Sequence, residues 1–170
     1  RRALFDIGIT GPLAGLVPTI IFCVVGLQLS EVKALPEGPG QGIFLGEPLL
    51  FQWMSHQIFG QLPEGKDIVL HPMAYAGWVG LLITALNLIP IGQLDGGHIL
   101  YALLRQRAHQ VATALLFGAV AAVVIFGYWA WMLMLLLLII IGPAHPPTAN
   151  DNAPLGAVRV ALGIFALALV

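Results

Sequence analysis

Asp95 carries the most chemistry to explain. It stands in the run Asn87-Leu88-Ile89-Pro90-Ile91-Gly92-Gln93-Leu94-Asp95-Gly96-Gly97-His98, a polar interruption of an apolar stretch. A carboxylate in such a place is costly unless it is hydrated, paired or bound to a metal. No lysine or arginine lies within a helical turn, and Arg105 is roughly 15 Å further along a helix. An acid that reaches interfacial water and an acid that binds a metal are both open readings. Asn87 could donate its amide to a developing oxyanion or hold a substrate backbone. An interhelical hydrogen bond is the plainer role for it. Gly96 and Gly97 leave backbone uncovered, so that another chain or a metal-bound ligand could come close.

The histidines do not complete a metal site. Asp95 and His98 are three apart and can share a helix face. Taken alone, His98 reads better as an interface or substrate-contacting residue than as a ligand. His71 would lie roughly 36 Å away if the intervening chain were helical, and His109 about 20 Å away on the other side. His56 belongs to the same connecting region as His71, and His145 follows a long apolar stretch. Asp95 therefore reads as one ligand whose partners lie elsewhere.

The elements that position these residues are apolar spans. The chain is 59% hydrophobic and 9% charged, where a soluble domain carries roughly a quarter charged residues. Its mean hydropathy is +0.93, and apolar runs of about twenty residues recur, which predicts an integral membrane protein. Spans are expected at about residues 11–29, 73–104, 111–126, 129–141 and 155–170. The first opens on Gly11-Pro12, with the proline expected in a first helical turn. Pro18 should kink it, and Gly11 and Gly15 form a small-residue packing pattern. The stretch 111–141 is too long for one helix, which predicts a hairpin near Gly127-Tyr128. Residues 30–71 form a connecting loop, with a short amphipathic helix over 48–59 that reads as interfacial or re-entrant. Cys23 packs as a small hydrophobe.

Arg1 and Arg2 precede the first span, Arg105 and Arg107 follow the second, and the 30–71 loop is net acidic. The positive-inside rule then puts the arginines in the cytoplasm or stroma, the loop outside, and Asp95 near the cytoplasmic or stromal end of its span. A net charge of -1 with no basic cluster gives no reason to expect nucleic acid as a partner. The chain starts at Arg1 and stops at Val170 inside an apolar run, so it is expected to be a fragment cut at both ends.

The run from Asn87 to His98 resembles the Asn-Pro-Asp-Gly signature of site-2 proteases, in the longer spelling of bacterial and chloroplast members. Gly11-Pro12-Leu13-Ala14-Gly15 resembles the motif that opens their preceding core span. The resemblance implies an all-α, polytopic transmembrane helical bundle with a broken Asp-bearing helix. It implies an intramembrane zinc metalloprotease whose substrate is a transmembrane protein segment, working in the lipid bilayer of a bacterial inner membrane or a chloroplast. It makes Asp95 the carboxylate ligand of one zinc ion and places Asn87 at the substrate site, with Pro90 and Gly96 shaping the break that exposes them and, with His98, on the substrate-binding side. The family's other ligands, two histidines of a His-Glu-x-x-His helix, are expected upstream of Arg1, since no such motif occurs here. With one ligand of three, these 170 residues alone should be inactive. A non-catalytic membrane scaffold is the main rival. A transporter, with Asp95 and Asn87 as an ion or proton site, would predict a second broken span by internal repeat, and none is found.

Overall fold

The computed structural model describes residues 1–34, 45–46, 48–143, 146, 148 and 150–168. His145, the proline- and glycine-rich stretch 36–42 and residues 169–170 of the expected last span lie outside the described residues. The elements follow in the order α1 (Arg2–Gln28), β1 (Glu31–Ala34), α2 (Leu49–Phe59), β2 (Lys66–Val69), α3 (Pro72–Asn87), α4 (Asp95–Leu104), α5 (Arg107–Phe126), α6 (Met132–Ile141) and α7 (Ala157–Ala168). A 3-10 turn, Trp129–Trp131, leads into α6. The protein is mostly helical. The chain divides into two compact units, residues 14–84 and residues 1–13 with 85–170, so α1 and α3 each contribute to both.

Among the described residues two helices, α1 and α5, are long and apolar enough to cross a membrane. At 27 residues α1 is about 40 Å long. It begins at Arg2, well before Gly11-Pro12, so Pro12 lies inside the helix rather than in its first turn. A proline there leaves the Gly8 carbonyl without its helical donor. The apolar stretch after Arg107 turns at Gly127, whose φ of 71° closes α5 in the left-handed conformation that glycine accepts without strain. Leu138 of α6 shares a buried cluster with Ala108, Ala112 and Leu116 of α5, so the chain doubles back on itself there.

The unit of residues 14–84 is built on α1 and α3. Its core joins Cys23 and Leu27 of α1, Phe51 and Met54 of α2, and Ala74 and Leu81 of α3. The two long helices meet through small residues. A side chain on Gly77 would fall 2.6 Å from the Cys23 backbone nitrogen, and one on Gly26 would fall 2.1 Å from that of Ala74. Gly15 of the expected Gly11 and Gly15 pattern has open space around it instead. The connecting region also departs from a purely helical expectation. Strands β1 and β2 pair antiparallel, with Glu31 opposite Val69 and Lys33 opposite Asp67. The Ser30 hydroxyl accepts the His71 amide at 2.9 Å, extending this closure by one step. Opposite charges across the pair and β-branched Val32, Ile68 and Val69 account for strands so short.

In the other unit α4 is the centre. Ile99 and Ala102 join Phe5 and Ile9 of α1, Leu155, and Ala166 of α7 in one buried cluster. Leu100 and Tyr101 join the α5 and α6 residues in a second. The ten-residue helix is thus covered on two faces, and only its ends are left for chemistry. The break before it is held by glycines. A Cβ on Gly96 would stand 1.9 Å from the Leu88 carbonyl oxygen, and one on Gly97 2.2 Å from that of Gly92. No side-chain rearrangement relieves a clash with backbone, so Gly96→Ala is expected to cost about 3 kcal/mol or more. Gly118→Ala on α5, where nothing lies within 4 Å, should be neutral or stabilising by up to about 1 kcal/mol. Unfolding of both variants in detergent, followed by circular dichroism, checks the contrast.

Candidate functional site at the start of α4

The site begins where α3 ends. The Leu88 amide bonds the Ala85 carbonyl at 3.1 Å and the Ile89 amide that of Leu86 at 3.3 Å, so the last turn tightens to 3-10 spacing. Pro90 has no amide to carry the helix on. The Ile91 amide then bonds Ile89, and the Leu94 amide bonds Ile91. Gly92 has a φ of 62°, and a Cβ there would fall 2.4 Å from the Gly142 carbonyl oxygen beyond α6. That position admits glycine alone.

Asp95 is the first residue of α4, and the His98 amide bonding the Leu94 carbonyl at 2.9 Å makes the first turn of the helix. A carboxylate in a first turn is favoured by the exposed amides and the helix dipole. Helix α1 fixes its surroundings. A Cβ on Gly8 would meet the Asp95 carbonyl oxygen and the His98 Cβ, both at 3.0 Å. One on Gly11 would meet Asp95 Oδ2 at 3.3 Å. The two glycines, three apart, thus open a space on α1 for the head of α4. Asp95 is half-buried. Among the described residues its carboxylate has no hydrogen-bond or ion-pair partner, and His98 is the group whose charge reaches it. Its acceptor sites are therefore available to a cation or a water.

Asn87 closes α3 and Pro90 lies in the break, both half-buried. Gly96 is buried against the Leu88 carbonyl, so its missing side chain serves the chain's own break. His98 lies half-buried on α4 beside Gly8. His56 and His71 belong to the other unit. His109 of α5 lies against the Tyr101 ring, with centroids 5.9 Å apart. Among the described residues no three histidine, cysteine, aspartate or glutamate side chains stand close enough to hold a metal ion. Among the described residues Asp95 is a single carboxylate without a hydrogen-bond partner, and no metal site forms around it.

The far end of α4 holds residues that charge counting read only as orientation signals. Arg1 donates to the carbonyls of Ala102 at 2.6 Å, Leu103 at 3.2 Å and Ala153 at 3.2 Å. It thereby covers carbonyls that the end of α4 leaves without helical donors. Arg2 donates to the Pro154 carbonyl at 2.6 Å. Asp151 accepts the Tyr101 hydroxyl at 2.9 Å as well as the Thr148 hydroxyl and amide. The Thr148 hydroxyl first, then Tyr101, hold the Asp151 carboxyl below the usual carboxylate range. Asp6 and Arg159 form a two-point ion pair. A signal for that pair existed. Asp6 is the lone acid among residues 3–29, and Arg159 is the lone lysine or arginine after Arg107.

The profile of Peptidase family M50 matches residues 1–130. Probable zinc metalloprotease EGY1, chloroplastic, of Oryza sativa subsp. japonica is 38% identical over 105 residues, covering 59% of this chain and 18% of that protein. Probable zinc metalloprotease EGY1, chloroplastic, of Arabidopsis thaliana is 31% identical over 175 residues, covering 100% of this chain and 32% of the relative. Probable zinc metalloprotease EGY2, chloroplastic, of Oryza sativa subsp. indica is 28% identical over 177 residues, 98% of this chain and 31% of that protein. The chain spans about a third or less of the length of these curated relatives. No solved structure matches it.

Contact between α1 and the head of α4 gives a direct expectation. Gly8→Ala must displace Asp95 and His98 and should cost about 1–3 kcal/mol. Gly15→Ala, two turns further along the same helix, has open space and should not destabilise. Thermal midpoints of the two variants in one detergent decide it.

Proposed function

Because the chain belongs to peptidase family M50, we propose that it is part of a site-2-type zinc metalloprotease that hydrolyses peptide bonds within transmembrane segments. The observation that carries this is Asp95. It is a carboxylate held at the head of a buried helix, facing a glycine, with its acceptor sites unclaimed by any described residue. Asp95 would be one ligand, and the remaining ligands would come from a His-Glu-x-x-His helix outside these residues. Lewis-acid polarisation of the scissile carbonyl and activation of water are what a bound zinc supplies.

The chain's own residues do the positioning. The break over residues 88–94 would leave backbone and Asn87 open to a substrate, as irregular segments in a membrane do where they line a cavity. Asn87 would hold the substrate backbone through its amide, with Pro90 and His98 bordering the same opening. Gly96 acts by letting the break fold against α4. The ten residues of α4 separate Asp95 from Arg105 and Arg107 by about 15 Å, roughly half the thickness of a bilayer core. Water would reach the site from that basic side, which is the cytoplasm or stroma under the positive-inside rule.

Membrane placement follows from α5. Its twenty residues, about 30 Å, run from Arg107 to a turn where Tyr128, Trp129 and Trp131 are all exposed. Basic residues at one end and amphipathic aromatics at the other match the two faces of a bilayer. Leu133, Ile140 and Ile125 are exposed and would face the hydrocarbon between. With Trp53 and Trp78 replaced by Phe, headgroup-proximal brominated lipids should quench the remaining tryptophans more strongly than lipids brominated deep in the chain. The reverse order would remove this placement.

The catalytic reading is tested in the full-length protein in detergent, with Asp95→Asn beside it. Zinc content should fall from about one ion per chain, and cleavage of a transmembrane test segment by more than about 100-fold. If Asp95→Asn keeps both, Asp95 is not a ligand. If neither protein binds zinc or cleaves, a non-catalytic membrane scaffold is the better account.

A further inference from the structure

We propose that the Asp6–Arg159 ion pair is a positioning latch that holds the Asp95 helix in register between α1 and α7. Its catalytic consequence rests on the metalloprotease reading above, while the latch itself does not. Helix α4 follows a break and takes its place from what packs on it: the backbone of the break at Gly96 and Gly97, α5 and α6 on one face, and α1 and α7 on the other. The α1 and α7 side is closed by glycines, Gly8 and Gly11 on α1 and Gly163 on α7.

The α7 crossing is tight. A Cβ on Gly163 would meet Phe5 Cε2 at 2.8 Å, and Ile99 Cγ2 and Leu103 Cδ1 at 3.2 Å each. Gly163 thus touches α1 and α4 at once. One helical turn earlier on α7, Arg159 reaches Asp6, the neighbour of Phe5. Its Nε donates to Oδ1 at 2.8 Å and its Nη2 to Oδ2 at 3.0 Å. A two-point bond between planar groups fixes orientation as well as distance. A glycine contact lets α7 slide or roll, and the fork beside it removes that freedom. The groups are 38% and 47% exposed, so the pair adds little to global stability. What it supplies is register. The M50 match ends at residue 130, so nothing in that match accounts for α7 or Arg159.

The test uses the full-length protein carrying Asp95→Cys, kept in chelator, with native Cys23 as an internal control. Cys23 is fully buried in the other unit and becomes reactive only if the protein unfolds. Maleimide labelling at both positions is read by peptide mass spectrometry. Arg159→Gln, and also Arg159→Lys, which keeps the charge but not the fork, should speed labelling at position 95 about three- to tenfold. Cys23 should stay protected, and the exchanged pair Asp6→Arg with Arg159→Asp should recover much of the lost protection. In protein retaining Asp95, Arg159→Gln should lower kcat with KM unchanged. No change at position 95, or a parallel rise at Cys23, would overturn the latch. A response at position 95 in a protein that neither binds zinc nor cleaves leaves the latch standing and removes the metalloprotease reading alone.

Discussion

Backbone lying directly on backbone at the break is the constraint from which the rest of this unit follows. The Leu88 carbonyl occupies the space where any side chain at position 96 would be, and the Gly92 carbonyl does the same at position 97. An apolar segment can stop, turn and start again within seven residues only if its halves come this close. The fold-back brings Asp95 to the front of a helix instead of leaving it on the side of one. Glycines on α1, Gly8 and Gly11, receive that front.

Charge is used sparingly, and around α4 several charged groups act as ties. Arg1 covers carbonyls at the tail of α4 while Gly11 faces Asp95 at its head, so α1 runs along the whole ten-residue helix and defines both ends. Asp151 holds the loop before α7 to Tyr101, and Arg2 holds the same loop at Pro154. These partners are more than ninety residues apart in sequence, or fifty for Tyr101 and Asp151. Few other polar groups compete for them. That makes each pairing specific even where its energy is modest.

Much of this was legible before any coordinates. The break at Pro90, the exceptional carboxylate and the turn near Gly127 are local events, written in residues that cannot continue a helix or that end one. Other parts were not. The start of α1 was misplaced because Gly-Pro reads as a helix opening, whereas the apolar residues before it extend the helix back to Arg2. The strands flanking α2 went unseen because four-residue strands are defined by their partner more than by their own composition. The spacing of Gly11 and Gly15 suggests a packing pattern, yet Gly15 has open space, while Gly8, Gly26 and Gly77 make the close approaches. Spacing marks where a helix could be approached and carries no information on which helix comes.

What the sequence by itself determined is the family and the position of its one exceptional carboxylate. Few charges, long apolar stretches and a single motif around Asp95 are properties of composition and short-range order. What only the tertiary structure decided is how that carboxylate is held. Gly96 turned out to make room for the Leu88 carbonyl, and Arg1 and Asp6 for ties to α4 and α7, through contacts between segments about a hundred or more residues apart in two of the three cases. The physical reason is that close packing and two-point hydrogen bonds depend on distances of a few tenths of an ångström. Those distances exist only once the helices have met.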